Sequence, residues 1–288
     1  MNPLLGVDVS VYQGAKGLPV GMVTKLKAKG IDFVIARASV GVANDTAFVT
    51  TIHRCIDAGI DVGAYHFLTD GPAGQRQADV FAQQVRRVGK TPDGILLVCD
   101  FEASASNHPS WQQAKDWAKR MAVNVGPDRQ LGIYSSRSNA GRVHNPDATG
   151  LFDYLWNAYW NNREDLDNHE QSLPSSPPRP GYFGFKEARL WQYGPCKVKA
   201  PRTGRQLSYD GDAFYGSITD LRRMGGKRTV PLVERPDFAV GHNTAVATII
   251  AAVTSMTPPA GNNTTLAGWE DGKADTLAAL PDLYMEKP

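Results

Sequence analysis

With 288 residues, 42% of them hydrophobic and 21% charged, the chain can form one large α/β domain, or one barrel plus a small appendage, around an ordinary buried core. A net charge of +2 and the lack of a long basic tract argue against a nucleic-acid partner. The three cysteines, Cys55, Cys99 and Cys196, are odd in number and form no C-x-x-C pair, so they are read as buried free thiols and no disulfide framework or zinc site is expected.

The chain opens on Met1-Asn2-Pro3-Leu4-Leu5, with no charged leader, long apolar stretch or small-residue cleavage site, so synthesis in a cytoplasm without a signal peptide is expected. From residue 4 to 225, short apolar or β-branched runs alternate with amphipathic stretches, the pattern of parallel strands joined by helices. Strands are predicted at Leu4–Ser10, Phe33–Ser39, Asp61–Phe67, Gly94–Glu102, Leu131–Ser135, Leu155–Trp160, Arg189–Tyr193 and Gln206–Phe214. Helices are predicted near 20–29, 45–58, 72–88 and 109–124, with Pro72 and Pro109 in first turns and Gly30 and Gly59 at helix ends. The polar, Pro-rich stretch 161–187 reads as a long surface loop, and Lys197–Arg205 as a solvated basic loop. The first strand is not followed by the glycine-rich turn of a doubly wound sheet. The expectation is therefore an irregular, TIM-like β/α barrel over residues 1–226, about five β/α units plus extra strands. A short C-terminal extension over 227–288, with one helix-like run at Val240–Met256, would follow it.

The run Leu96-Leu97-Val98-Cys99-Asp100-Phe101-Glu102 reads as a strand buried on both faces that ends in two carboxylates. Residues i and i+2 of a strand point the same way, which puts Asp100 and Glu102 on one side at about 6.5 to 7 Å along the chain. Such a pair suits glycosidic cleavage, one acid protonated to serve the leaving oxygen and the other supporting the developing positive charge. It equally fits a strand end capped by solvated acids. Asp8 ends the first strand in a similar way and Asp212 lies near the end of the last. Closing the barrel makes those strands neighbours, and barrel active sites lie at the C-terminal ends of strands. Tyr65, Tyr134, Tyr159, Trp191 and Tyr193 fall at predicted strand ends, where their rings suit either core packing or stacking on sugar faces. Arg37 and His66 sit within strands near the same rim, as buried polar residues or as groups holding acids or substrate. No metal-ligand cluster or phosphate-cradling loop stands out, and no cofactor is expected.

These segments, taken in order, resemble glycoside hydrolase family 25, the lysozymes of phages, bacteria and fungi. The series runs Gly6-Val7-Asp8-Val9-Ser10-Val11-Tyr12-Gln13-Gly14, then Phe33-Val34-Ile35-Ala36-Arg37-Ala38-Ser39 and Gly63-Ala64-Tyr65-His66-Phe67. It continues with Asp100-Phe101-Glu102, Gly132-Ile133-Tyr134-Ser135-Ser136 and Leu155-Trp156-Asn157-Ala158-Tyr159, and closes with Leu190-Trp191-Gln192-Tyr193 and Asp212-Ala213-Phe214. The resemblance covers about residues 4–225. It implies hydrolysis of the β-1,4 bond between N-acetylmuramic acid and N-acetylglucosamine in bacterial peptidoglycan, with retention of configuration. By motif position Glu102 matches the general acid, Asp100 its neighbouring carboxylate (nucleophile, or orienter of the substrate acetamide), and Asp8 and Asp212 the remaining acids. With no signal peptide, the implied settings are a phage endolysin or a virion-borne wall hydrolase. The extension 227–288 leaves self-association or a virion partner open. The rival readings are a wall-binding or virion structural protein that kept the barrel without turnover, and a glycosidase acting on another polymer such as chitin.

Overall fold

The computed structural model describes residues 3–89, 94–126, 129–160, 173, 176–199 and 206–226. The extension 227–288, with its helix-like run at Val240–Met256, lies outside the described residues, as do most of 161–175 and residues 200–205 of the basic stretch.

Among the described residues, nine strands and six α-helices follow in order: β1 (Leu4–Val9), α1 (Val20–Ala28), β2 (Ile31–Val40), β3 (Ala43–Asn44), α2 (Phe48–Asp57), β4 (Asp61–Phe67), α3 (Gly74–Arg87) and β5 (Leu96–Asp100). Then come α4 (Trp111–Val125), β6 (Gly132–Ser135), α5 (Arg137–Arg142), β7 (Tyr154–Ala158), β8 (Leu190–Lys199), β9 (Gln206–Phe214) and α6 (Ile218–Gly225). Eight strands close into a barrel in the order β1-β2-β4-β5-β6-β7-β8-β9, with β9 returning to β1 and β3 appended to the end of β2. The neighbours from β1 round to β8 are parallel, whereas β9 runs antiparallel to both β8 and β1. The expected irregular β/α barrel, five β/α units followed by extra strands, is the fold observed.

Alternation along each strand sends every second side chain inward. Phe33 and Ile35 of β2, Leu96 and Val98 of β5, Tyr134 of β6, Tyr154 and Trp156 of β7, Leu190 of β8 and Phe214 of β9 fill the interior. Two glycines make room for this filling. A Cβ at Gly6 would land on the Phe33 ring, and one at Gly132 on the Tyr154 ring. Leu221 and Met224 of α6 join the same cluster at the end where Gly94, at the start of β5, abuts Gly225. This helix therefore closes the bottom of the barrel, and the opposite rim, where the parallel strands end, stays open.

Several expectations need correction. Pro72 and Pro109 precede the N-caps Ala73 and Ser110 instead of occupying first turns; Ser110 builds a capping box with Gln113 that starts α4 one residue later. Gly30 and Gly59 do end helices, with φ of 79° and 68°. Strand β5 stops at Asp100, so Glu102 stands just beyond it. Lys197 and Lys199 belong to β8, which extends well past the predicted strand end because β9 pairs with it as a hairpin arm. Nor is all of 161–187 a surface loop. Tyr182 and Phe183 are buried, Phe183 stacked on Trp111 at 5.4 Å and the Tyr182 hydroxyl 2.6 Å from the Ser135 carbonyl oxygen. Their apolar surface outweighs the polar composition around them.

The glycine account has a direct consequence. Gly132→Ala should cost about 1–3 kcal/mol of stability in urea unfolding, because the methyl must displace the Tyr154 ring. Gly71→Ala, where a Cβ meets nothing within 4 Å, should stay within about 0.5 kcal/mol of the parent.

Candidate active site

The open rim gathers carboxylates from three directions. Asp8 is the penultimate residue of β1 and faces Asp210 directly across the antiparallel β1–β9 pair. Asp100 ends β5, two places along the same face from Val98 of the core. Glu102 follows on a segment whose backbone is tied down at each step. Phe101 N–H donates to the Tyr134 carbonyl, Ala103 N–H to Asn139 Oδ1 at 3.0 Å, and Asn107 Nδ2 to the Glu102 carbonyl at 3.2 Å. Such a tether fixes the side chain's origin without consuming its carboxyl group.

Gln192 of β8 lies at the centre of this arrangement and is buried. Its Nε2 donates to Asp8 Oδ2 at 2.8 Å, while its Oε1 accepts from the Tyr134 hydroxyl and from Trp160 Nε1, each at 2.8 Å. The Tyr134 hydroxyl also lies near enough to the Glu102 carboxyl to lower its proton affinity. Asp212 sits one inward position deeper, fully buried, with Oδ1 accepting from Trp156 Nε1 at 2.8 Å. Among the described residues, Asp100 Oδ1 and Asp212 Oδ2 have no hydrogen-bonding partner in the protein.

Burial and mutual repulsion govern the protons here. Burial raises Asp8 well above the ordinary carboxylate range, reinforced by Asp210 and Glu102 and opposed by the Gln192 hydrogen bond. Asp100 is raised well above it too, by burial and then by Glu102 and Asp8, with Arg37 pulling the other way. Glu102 is raised by burial and by Asp210, against the Tyr134 contact, and burial raises Asp210. Asp212 goes up through burial and its proximity to Asp8 and Asp210, against the Trp156 bond. Crowded in low dielectric, these groups cannot all ionise, so the rim retains protons where an isolated acid would have lost them. That is the electrostatic condition for acid catalysis.

The predicted site residues divide between the two faces of the sheet. Asp8, Asp100, Glu102, Arg37, Tyr65 and Tyr134 meet at the rim, and Tyr159 stands beside it, 61% exposed. Arg37 is committed to Asp45 at 3.0 Å, which also accepts from the Val11 and Ala47 backbone, and its guanidinium lies 5.3 Å over the Tyr12 ring. The structure does not bring His66 or Trp191 to the acids, whereas Tyr193, raised by burial, lies near enough to Asp212 for that carboxyl to raise it further. His66 points out of the barrel into the helical layer, wholly buried between Ser39 and Gln77 and stacked on Trp117; burial lowers it to about 4, so it is neutral. Trp191 packs edge-on against Tyr193, which sits where the β8–β9 register shifts, and the Trp191 indole N–H holds the Tyr159 carbonyl from behind. Alternation already carries this signal, since Tyr65 and His66, or Gln192 and Trp191, cannot share a face.

Sequence reasoning missed Asp210, Gln192 and Trp160. Asp210 stands beside the chosen Asp212, but a last strand taken as parallel puts its end at the rim. Because β9 runs the other way, its earlier acid is the one level with Asp8. Trp160 is 54% exposed although its ring nitrogen bonds Gln192. Among the described residues, no group of three or more His, Cys, Asp or Glu side chains is arranged to hold a metal ion.

The family model described as glycosyl hydrolases family 25 matches residues 7–198, two-thirds of the chain. The chain belongs to that family. It is a glycoside hydrolase. Solved structures share its fold at low identity. A muramidase from Trichobolus zukalii is 24% identical, with a TM-score of 0.56 over 77% of this chain and 98% of that one. A family 25 lysozyme from Aspergillus fumigatus is 23% identical, with a TM-score of 0.58 over 78% and 99%. The catalytic domain of an endolysin from a bacteriophage of Listeria monocytogenes is 18% identical, with a TM-score of 0.53 over 78% and 98%. None of the curated proteins compared with the chain matches it.

The raised carboxyls tie stability to pH. The folded state holds protons that the unfolded chain releases near about pH 4, so stability is full below that value and is lost as pH rises through the raised range. Asp210→Asn removes one such group and relieves Asp8 and Glu102. In thermal melts it should unfold at a higher temperature than the parent at about pH 7 and at the same temperature near about pH 3.

Proposed function

We propose that this family 25 glycoside hydrolase is a muramidase that cleaves the β-1,4 bond between N-acetylmuramic acid and N-acetylglucosamine in bacterial peptidoglycan, with residues 1–226 as its catalytic unit. The observation that carries the reading is the meeting of Asp8, Asp100, Glu102 and Asp210 around Tyr134 and Gln192 at the C-terminal rim of the barrel. Its support from comparison is that the solved structures of this fold include proteins described as muramidase, lysozyme and endolysin.

In this mechanism Glu102, a half-buried carboxyl with raised affinity for a proton, donates to the glycosidic oxygen as the bond breaks. Asp100 has an oxygen free of protein partners, and Arg37 opposes the burial and neighbouring acids that raise its proton affinity. It either attacks the anomeric carbon or orients the 2-acetamido group for that attack; both routes proceed with retention. Water then completes hydrolysis, with the deprotonated Glu102 as base. Asp8 and Asp210 set the field in which these protons move, and Asp212 acts on Asp8 from beneath as a positioning group. The exposed faces of Tyr159 and Trp160, together with Tyr65 and Tyr134, offer flat surfaces for pyranose rings.

Digestion of purified peptidoglycan, with the new reducing ends identified by mass spectrometry, tests this reading. The parent should release N-acetylmuramic acid ends, and Glu102→Gln should fold normally yet lose about 10²–10⁴-fold in rate. Release of N-acetylglucosamine ends would contradict the bond assignment, and an unimpaired Glu102→Gln would contradict the acid. Asp100→Asn should be severely impaired in the same assay.

A further inference from the structure

Strand β5 leads the chain to Glu102 but ends before it. At that end Leu68 N–H donates to the Asp100 carbonyl at 3.0 Å, from the β4 side, and Phe101 N–H to the Tyr134 carbonyl at 2.9 Å, on the β6 side. Neither Glu102 nor Ala103 belongs to a strand, and side chains take over from the ladder there. Ser135 Oγ donates to the Phe101 carbonyl at 2.9 Å, and Asn107 Nδ2 to the Glu102 carbonyl at 3.2 Å. Asn139 Oδ1 accepts from the Ala103 N–H at 3.0 Å. The Glu102 carbonyl and the Ala103 N–H are the two polar ends of one planar peptide group. Both are held by asparagines.

Each carboxamide is oriented by what it meets, since a carbonyl can only accept and a backbone N–H can only donate. Asn107 is buried and turns its NH₂ to two carbonyls, Leu68 at 3.0 Å and Glu102, and its oxygen to Asp70 N–H at 3.0 Å. It is thereby tied to the segment after β4. That segment is itself pinned, with Gln113 Nε2 donating to the Thr69 and Asp70 carbonyls at 3.1 and 2.8 Å. Asn139 belongs to α5, after β6, and its own N–H is anchored on the N-cap Ser136 Oγ at 3.3 Å. Since β4 and β6 are the two neighbours of β5, the peptide is gripped from both flanks.

We propose that Asn107 and Asn139 are positioning residues that clamp the peptide group after Glu102 and so fix the direction in which its side chain leaves the backbone. The functional meaning rests on the muramidase reading, in which Glu102 donates the proton; the clamp itself stands on hydrogen-bond geometry. Its worth follows from how steeply rate depends on placement, a shift of about 1 Å being able to cost about 10²-fold. The two asparagines act with opposite polarity, one as donor and one as acceptor, and a single type of substitution separates them. Ionised aspartate has oxygens but no N–H. At 139 it keeps the bond to Ala103. At 107 it keeps the bond to Asp70 and loses both donations, to Leu68 and to Glu102.

Hydrogen exchange of the Ala103 amide, followed by NMR, reads the clamp without turnover. It should speed up about 10-fold or more in Asn139→Leu and stay near the parental rate in Asn139→Asp. Kinetics on soluble peptidoglycan fragments, with each variant at its own pH optimum, reads the consequence. Asn139→Leu and Asn107→Asp should lose about 10- to 100-fold in kcat with KM little changed, because sugar contacts are kept while the acid is misplaced. Asn139→Asp should stay within about threefold of the parent in kcat. A merely structural role would lower thermal stability and leave the kcat of the folded protein where it was. Should Asn107→Asp not fold, the pair at the half-buried Asn139 decides alone. An Asn139→Leu that matches the parent in kcat, or an Asn139→Asp as impaired as Asn139→Leu, would overturn the inference. A parent that cleaves no peptidoglycan, while Ala103 exchange still follows the acceptor at 139, would instead overturn the muramidase reading and leave the clamp standing.

Discussion

A set of like charges held at the dry mouth of a barrel is the condition on which the rest of this structure depends. Asp8, Asp100, Glu102 and Asp210 each sit partly or wholly out of water, and each is raised by burial. The positive charge of Arg37 acts on only part of the group and is itself bound to Asp45. Such a cluster is unfavourable for folding at neutral pH, and the core below has to offset it. The interior aromatics, the glycines that admit them and the α6 plug at the far end do so by filling the barrel from beneath, leaving the strain at the one open rim.

The reversed direction of β9 gives the cluster its shape. A parallel eighth strand would bring its C-terminal end to the rim; an antiparallel one brings the segment that enters it from the β8–β9 hairpin. That topology sets Asp210 opposite Asp8 and lowers Asp212 to the level of Trp156, where it is hydrogen-bonded and shielded. Crossing the barrel mouth, Gln192 then links β1, β6 and the segment after β7 through its single carboxamide.

Much of the fold was legible in the sequence because its signals are local. Buried parallel strands read as short apolar runs, and Gly30 and Gly59 mark helix ends by their backbone geometry. Asp8, Asp100 and Glu102 were legible because charge at the end of an apolar run is conspicuous. What escaped was non-local. Nothing within Gln206–Phe214 states which way the strand runs, so the choice between Asp210 and Asp212 depended on a pairing 200 residues away in the chain. The partners of Gln192 are likewise distant, with 184 residues separating it from Asp8. His66 and Trp191 were assigned to the rim by nearness to strand ends, although period-two alternation places them on the outer face. Tyr182 and Phe183 were hidden by their proline-rich surroundings.

The central claim is that crowding leaves a proton on Glu102 while Asp8 remains a hydrogen-bond acceptor. Neutron diffraction from a perdeuterated crystal grown near neutral pH would locate these protons directly. The account requires deuterium on the Glu102 carboxyl, the Tyr134 deuteron directed at Gln192 Oε1, and the Gln192 ND₂ group directed at Asp8 Oδ2. A bare Glu102 carboxylate accepting the Tyr134 deuteron would contradict it.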